Sequence, residues 1–423
     1  MRVLQLCKKF PYPTKDGESI AMTTLSRALN ELGCEVTLLA MNTSKHYFDL
    51  KQLPKDFNHY QEIHTAAVDN RIKPFAAFKN LFSSESYHIQ RFVSEDFSNE
   101  LRKLLQRKTF DVVQLETLYL APYIPIIRQY SKAIVALRSH NVEHEIWERI
   151  AVNTRFLPKK WYLQHLTKKL KRYEVAQLQN YDLLVSITER DQKIYQQLGY
   201  QKATHVTPVG IDSRYYLADD ASFKDHISIG FIGSLDWMPN QEGLKWFLQH
   251  VWQRIRTQFP DLQLHIAGRN TPKWLLNSKE KNVVVHGEVP DAAEFINQHS
   301  LMVVPLLSGS GMRVKILEGM ALGRVVLTTE IGLEGIEAEH ASEVMIANQP
   351  EEFVNCVAEC YQSNGQLVNL GRRAQVLVAK EYDNLEIGQR LITAYQQMLP
   401  QQKSNKRNPP SSKFSSSSAL GSR

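Results

Sequence analysis

The 423-residue chain has no apolar run long enough for a membrane-spanning helix, which excludes a span of that kind. Cysteine is sparse. Of Cys7, Cys34, Cys356 and Cys360, only the last two are near one another, four apart on a predicted helix and without His or Cys partners for a zinc site. They read as ordinary, partly buried thiols, and no disulfide framework is expected. The opening MRVLQLCKKF is too short for a signal-peptide core, lacks a cleavage pattern, and reads as a buried first strand. No internal repeat is evident, and no Asp-x-Asp clearly follows a strand. These absences point to a cytoplasmic, metal-independent protein.

Excess charge is also scarcer than the formal +7 suggests. The stretch after Pro400, QQKSNKRNPPSSKFSSSSALGSR, carries Lys403, Lys406, Arg407, Lys413 and Arg423 and no acid, so five of the seven charges lie there. The body is left with about two, which argues against a nucleic-acid partner. The stretch is Ser-rich without periodic apolar residues and reads as a disordered basic tail over 400–423.

What remains has the composition of a soluble globular protein, 43% hydrophobic and 22% charged, long enough for more than one domain. Strand-like and helix-like segments alternate. RVLQLC is an apolar run, followed by SIAMTTLSRALNELG with Ile20, Leu25, Leu29 and Leu32 at helical spacing and a stop at Gly33. CEVTLLAM, FDVVQLE, AIVALRSH and DLLVSIT continue as strands. The pattern breaks at VTPVGID and restarts at HISIGFIGSL, with LQLHIAG, NVVVHGEV, LMVVPLL, RVVLTT and EVMIA as later strands. This is an α/β pattern of two parallel-sheet domains, 1–207 and 208–370. A helical segment, 371–399, is expected to pack back on the first domain. Ligands of open α/β sheets sit at the carboxyl ends of strands, so chemistry is sought there.

After LMVVPLL comes SGSG and then a helix, MRVKILEGMAL, ending at Gly323. Free N–H groups and the helix dipole favour an anion at such a start, and Ser308, Gly309, Ser310 and Gly311 would let backbone approach it. Arg313 and Lys315 in the first turn oppose the dipole unless an anion compensates, and a diphosphate fits both. Glu318 could accept hydrogen bonds from a ribose diol. The competing reading is a surface helix with an internal Lys315–Glu318 pair, which leaves the glycines and Arg313 unexplained.

The string GSGMRVKILEGMALGRVVLTT resembles the signature of glycosyltransferase family 4, retaining nucleotide-sugar enzymes of the GT-B fold. FIGSLDWMPNQEGLKWF, LHIAGR and HGEVPD follow the same family's order, and RSHNVEHEIWERIA extends the resemblance into the first half. The strings are most similar to Stp1-like bacterial sugar transferases of exopolysaccharide synthesis. The resemblance implies two Rossmann-like domains facing a central cleft, a nucleotide diphosphate sugar as donor substrate with no separate cofactor, and a glycan or lipid-linked acceptor. It implies donor contacts at Gly233, Ser234, Asp236 and Asn240, with Trp237 either a cleft wall or plain packing. Gly268 and Arg269 would lie near the nucleotide, and the backbone of Glu288, Val289 and Pro290 near its base. His140 would lie beside the sugar and Gly17 on the acceptor side. Catalytic roles fall to His140, Arg313, Lys315 and Glu318. The chain departs from the family where Ser310 replaces a Glu and where GSLDWMPN lacks a basic pair. Two other readings stay open: a GT-B nucleotide-sugar 2-epimerase, and a degenerate nucleotide-binding partner protein. The basic, aromatic stretch RFLPKKWYLQHLTKKLKRYEVAQL, with Lys159, Lys160, Trp161, Lys168 and Lys169, is either a solvated helix face or a contact with the inner face of the cell membrane.

Overall fold

The computed structural model describes residues 1–14, 16–223, 227–309, 311–362 and 364–399. The tail over 400–423 and Ser310 lie outside the described residues. Among those described, all strands fall into two parallel sheets. The first takes β1 (Arg2–Cys7), β2 (Glu35–Thr43), β3 (Glu62–Val68), β4 (Val112–Leu115), β5 (Ile134–Ser139), β6 (Leu183–Ser186) and β7 (Ala203–Val206), in the order β3-β2-β1-β4-β5-β6-β7. The second takes β8 (Ile229–Ile232), β9 (Leu264–Ala267), β10 (Val283–Gly287), β11 (Leu301–Val304), β12 (Val325–Thr328) and β13 (Met345–Ile346), in the order β10-β9-β8-β11-β12-β13. The order reverses between β1 and β4 and between β8 and β11, and those crevices are where such sheets bind ligands.

The strands are apolar runs because helices cover both faces of each sheet; five of the six residues of β1 are buried. Each sheet accordingly has two core clusters, one per face. All four cysteines are buried and free.

The helices that bear on the site are α1 (Gly17–Glu31), α2 (Pro74–Asn80), α3 (Glu143–Asn153), α4 (Leu157–Gln177), α5 (Met238–Trp246), α6 (Val314–Ala321), α7 (Asn364–Leu377) and α8 (Asn384–Met398). Asp16 caps α1 by accepting the Ser19 amide at 3.0 Å.

The chain crosses between domains twice. The outward strand and the return meet as an isolated parallel bridge, Ile211 with Asp383. The Ile211 amide donates to the Tyr382 carbonyl and the Asn384 amide to the Ile211 carbonyl, both at 2.9 Å. Gly210 sits where they touch: a Cβ there would stand 2.6 Å from the Ile387 side chain and 2.7 Å from the Tyr382 carbonyl oxygen. The return lies later than the sequence suggested. Residue 371 falls inside α7, whose Leu367, Leu370 and Ala374 pack into the second domain, as do Val378 and Tyr382 beyond it. Only α8 belongs to the first domain, where it packs on α1 and the Tyr395 hydroxyl donates to Gln114.

Candidate active site

The carboxyl ends of β1, β4 and β5 furnish one wall of the cleft. Lys8 and Lys9 follow β1, and Glu18 of α1 lies 3.3 Å from Lys8 and 3.4 Å from Lys9. Burial opposes the charge on Lys8, yet Glu18 and Glu143 raise its pKa. Glu116 follows β4 and is wholly buried. Its Oε2 is 2.9 Å from His140 Nε2 and 3.3 Å from Arg138 Nη1, while Oε1 accepts from Gln5 and Gln114. Burial alone would raise this carboxyl, but Arg138 and His140 bring it down to about 2. A carboxylate thus stands directly behind the imidazole that ends β5. Next to it, Glu143 is pushed up to about 7, chiefly by burial, and accepts from the Tyr119 hydroxyl.

The facing wall comes from β8, β11 and α6. Gly309 has φ of 109°, in the region that favours glycine, and a Cβ there would lie 3.1 Å from Arg313 and 3.2 Å from the Trp237 ring. That backbone delays the helix. It begins at Val314, so Arg313 is its N-cap rather than a first-turn residue, with φ −99° and ψ 88°. The guanidinium is buried, stacks over Trp237 at 5.5 Å and donates to the Gly311 carbonyl. Trp237 is therefore a platform for Arg313 and is itself exposed. Lys315 points inward. Its Nζ donates to Asn240 Oδ1 at 2.7 Å and lies 4.8 Å from the centre of the Phe231 ring. Burial first, then Arg313, lowers its pKa to about 7. Asn240, buried on α5, also donates to the Ser234 carbonyl at 2.8 Å, tying the turn after β8 to Lys315. A Cβ on Gly233 would lie 2.9 Å from Asn240 and 3.2 Å from Lys315.

The other expected residues are spread more widely. Glu318 accepts from the Tyr216 hydroxyl at 2.9 Å, so a bound diol would have to displace or join that bond, and burial raises its pKa. Gly268 is explained by packing, since a Cβ would stand 2.0 Å from the Gly233 carbonyl oxygen. Arg269, Glu288 and Pro290 are exposed, while Val289 packs on the second-domain core. Asp236 is exposed and accepts from Ser234, and Ser308 donates to Glu242 at 3.0 Å. Gly17 opens α1 with nothing within 4 Å of an added Cβ, so packing does not demand a glycine there.

The two walls are close. His140 and Asn141 share a crevice with Gly311 and Glu334 that leaves only about 20 Å³. Met312 Sδ lies 3.2 Å from the Val209 amide, and a Cβ on Gly335 would lie 3.0 Å from Thr188. Among the described residues, no group of three or more His, Cys, Asp and Glu could hold a metal ion.

Glu116, Arg138, Lys8 and Lys9 were not singled out by sequence. Their one signal was position: each charge ends or interrupts an apolar strand at its carboxyl end.

Solved structures share this architecture. Sucrose-phosphate synthase from Thermosynechococcus elongatus superposes with a TM-score of 0.64 at 15% identity, covering 94% of this chain and 99% of that one. HepE of Anabaena, solved with UDP, gives 0.64 at 13% identity, covering 94% and 100%. The chain has the GT-B fold. Within its second GT-B domain, residues 226–363 match the family described as Glycosyl transferases group 1. Along nearly its whole length the chain is similar to an uncharacterized 44.6 kDa protein in the cps region of Klebsiella pneumoniae, at 20% identity over 404 residues, 91% of this chain and 97% of that one.

Proposed function

We propose that the protein is a retaining glycosyltransferase that moves a sugar from a nucleotide diphosphate sugar to a glycan or lipid-linked acceptor in surface polysaccharide synthesis. The observation that carries the reading is the pair Arg313, buried, and Lys315, half-buried, beside a glycine-bearing loop at the start of α6 whose Gly311 faces His140. Two cations largely withdrawn from water at a helix N-terminus are costly unless an anion is to be bound. The group 1 match over 226–363 includes both. The Klebsiella relative lies in a cps region, and HepE was solved with UDP and with UDP-glucose.

In this reaction the bond between the anomeric carbon and the diphosphate oxygen breaks. A bond to the acceptor hydroxyl oxygen forms on the same face, and the hydroxyl proton passes to the departing diphosphate. Arg313 and Lys315 stabilise the charge that develops on that leaving group. His140, backed by Glu116, lines the sugar side, and Glu318 receives the ribose once Tyr216 yields. About 760 Å³ already opens between the domains beside Tyr216 and Glu318, but only about 20 Å³ remains between His140 and Gly311, so a donor sugar reaching His140 requires the walls to part there.

The test is a panel of UDP, GDP, ADP and dTDP sugars, read by thermal shift and by donor hydrolysis. One nucleotide class should raise the melting temperature and its sugar should be released slowly. Arg313→Ala and Lys315→Ala should each lower turnover by about 10²–10³-fold and weaken nucleotide binding. Unchanged nucleotide affinity in both variants would overturn the assignment.

A further inference from the structure

Six large exposed apolar side chains of the first domain stand in two neighbouring groups. Phe75 and Phe78 stand on α2 and Phe82 just beyond it, the last 83% exposed. Phe156, Leu157 and Trp161 stand where α3 turns into α4, again exposed. The two groups are fastened together. Lys169 of α4, which sequence left as a possible surface cation, is instead buried and donates to the carbonyls of Asn80 and Leu81. Tyr87 packs with Leu166 and Tyr162 of α4. The exposed rings pair with each other and with lysine rather than with the core: Phe78 meets Phe82 edge-on at 5.7 Å, and Lys79 lies over Phe75 at 4.6 Å.

Cations outnumber acids on the flank these groups form, where Asp69 pairs with Arg71 and Lys73 at its edge. Neither 70–82 nor 149–173 contains an Asp or a Glu, while Lys73, Lys79, Arg155, Lys159 and Lys168 are all exposed. Apolar rings set among an excess of cations are complementary to an anionic lipid surface, where rings enter the headgroup boundary and cations meet phosphates.

A groove links this flank to the cleft. A depression of about 320 Å³ lined by Glu145, Glu148, Arg149, Val152, Asn153 and Arg190 runs along α3. It shares Glu145, Arg149 and Arg190 with the crevice of His140 and Gly311. The 11 residues of α3 span about 16 Å from the cleft to the corner.

We propose that this flank seats the protein on an anionic membrane, and that the groove along α3 leads the head of a lipid-linked acceptor from the bilayer to His140. The second half rests on the transferase reading; the docking does not.

Full-length protein is sedimented with vesicles of phosphatidylglycerol and phosphatidylethanolamine, and separately with phosphatidylcholine. Binding to the anionic vesicles alone is expected, falling as salt rises. Lys159→Glu with Lys160→Glu, and Phe78→Ser with Phe82→Ser, should each reduce it about tenfold or more while leaving melting temperature and nucleotide binding unchanged. Wild-type protein that stays in solution would overturn the proposal. So would variants that bind as wild type does, since the basic tail would then be the anchor, or a wild-type dimer without vesicle affinity that the variants make monomeric. Vesicle binding needs no turnover, so loss of the docking and loss of the transferase reading register separately. With docking established, transfer to a lipid-linked acceptor should fall in the variants, and hydrolysis of the donor in free solution should not.

Discussion

Lys315 carries the most specific expectation among single residues. Held near 7 by burial and by Arg313, it is mostly neutral at pH 8 in the unliganded protein. A bound diphosphate restores its proton. Nucleotide binding at pH 8 should therefore take up about one proton, measured by titration calorimetry in buffers of different ionisation enthalpy, and Lys315→Met should abolish the uptake. Because the unfolded lysine keeps its proton to about pH 10, unliganded stability should also rise between about pH 7 and pH 10. Glu116 has the same sign in a more acidic window. Its carboxyl is depressed to about 2, so its stabilisation is complete above the ordinary carboxylate range and lost as pH falls toward 2. Glu116→Gln leaves Arg138 buried without its counter-ion and should cost about 3 kcal/mol at pH 7 by urea unfolding, a difference that shrinks in acid. The two sites differ in how far they could be read beforehand. Gly309, Gly311, Arg313 and Lys315 lie within seven positions, so their shared chemistry is visible as a string. Glu116 lies more than twenty positions before Arg138 and His140, and meets them because β4 and β5 are neighbours in a register that composition does not display.

At the scale of elements, periodicity and stop signals served well where a helix has one apolar face and a plain terminus, as at α1 and Gly33. They failed where a side chain's role depends on a neighbour. Lys169 sits in a run of cations, but three residues after the buried Leu166 it falls on the covered side of α4, where the end of α2 supplies carbonyls. Lys169→Ala should speed amide exchange across 74–90 by about tenfold or more, with little effect on exchange in the second domain. Likewise α7 looked like the start of the return segment because its helical pattern runs on toward α8, and only packing shows that Ala374 and Val378 belong to the other domain.

For the whole molecule, the parallel-sheet alternation and the break after β7 were legible, because both are written as apolar runs and turn residues. The closeness of the walls was not, since it is a relation between domains. It has a direct check. Thr188→Cys with Gly335→Cys joins positions that face each other across the cleft, a Cβ at 335 standing 3.0 Å from Thr188 and displacing Met312 from 2.8 Å. A side chain at the Gly335 φ of 84° costs about 1–2 kcal/mol. Oxidation should lock the gap and abolish nucleotide binding, and reduction should restore it. Binding undiminished in the oxidised protein would show that the donor enters without the walls parting.

The return of the chain at Asp383 also sets an order of events. α8 leaves the ribosome long after α1, yet its Ile387, Leu391 and Tyr395 cover Leu25 and Leu29 of that earlier helix. At roughly ten residues per second, that early helix face stays bare for roughly half a minute. The first lobe therefore waits on the second for its own completion, and a growing chain must shield that stripe from its neighbours throughout the interval.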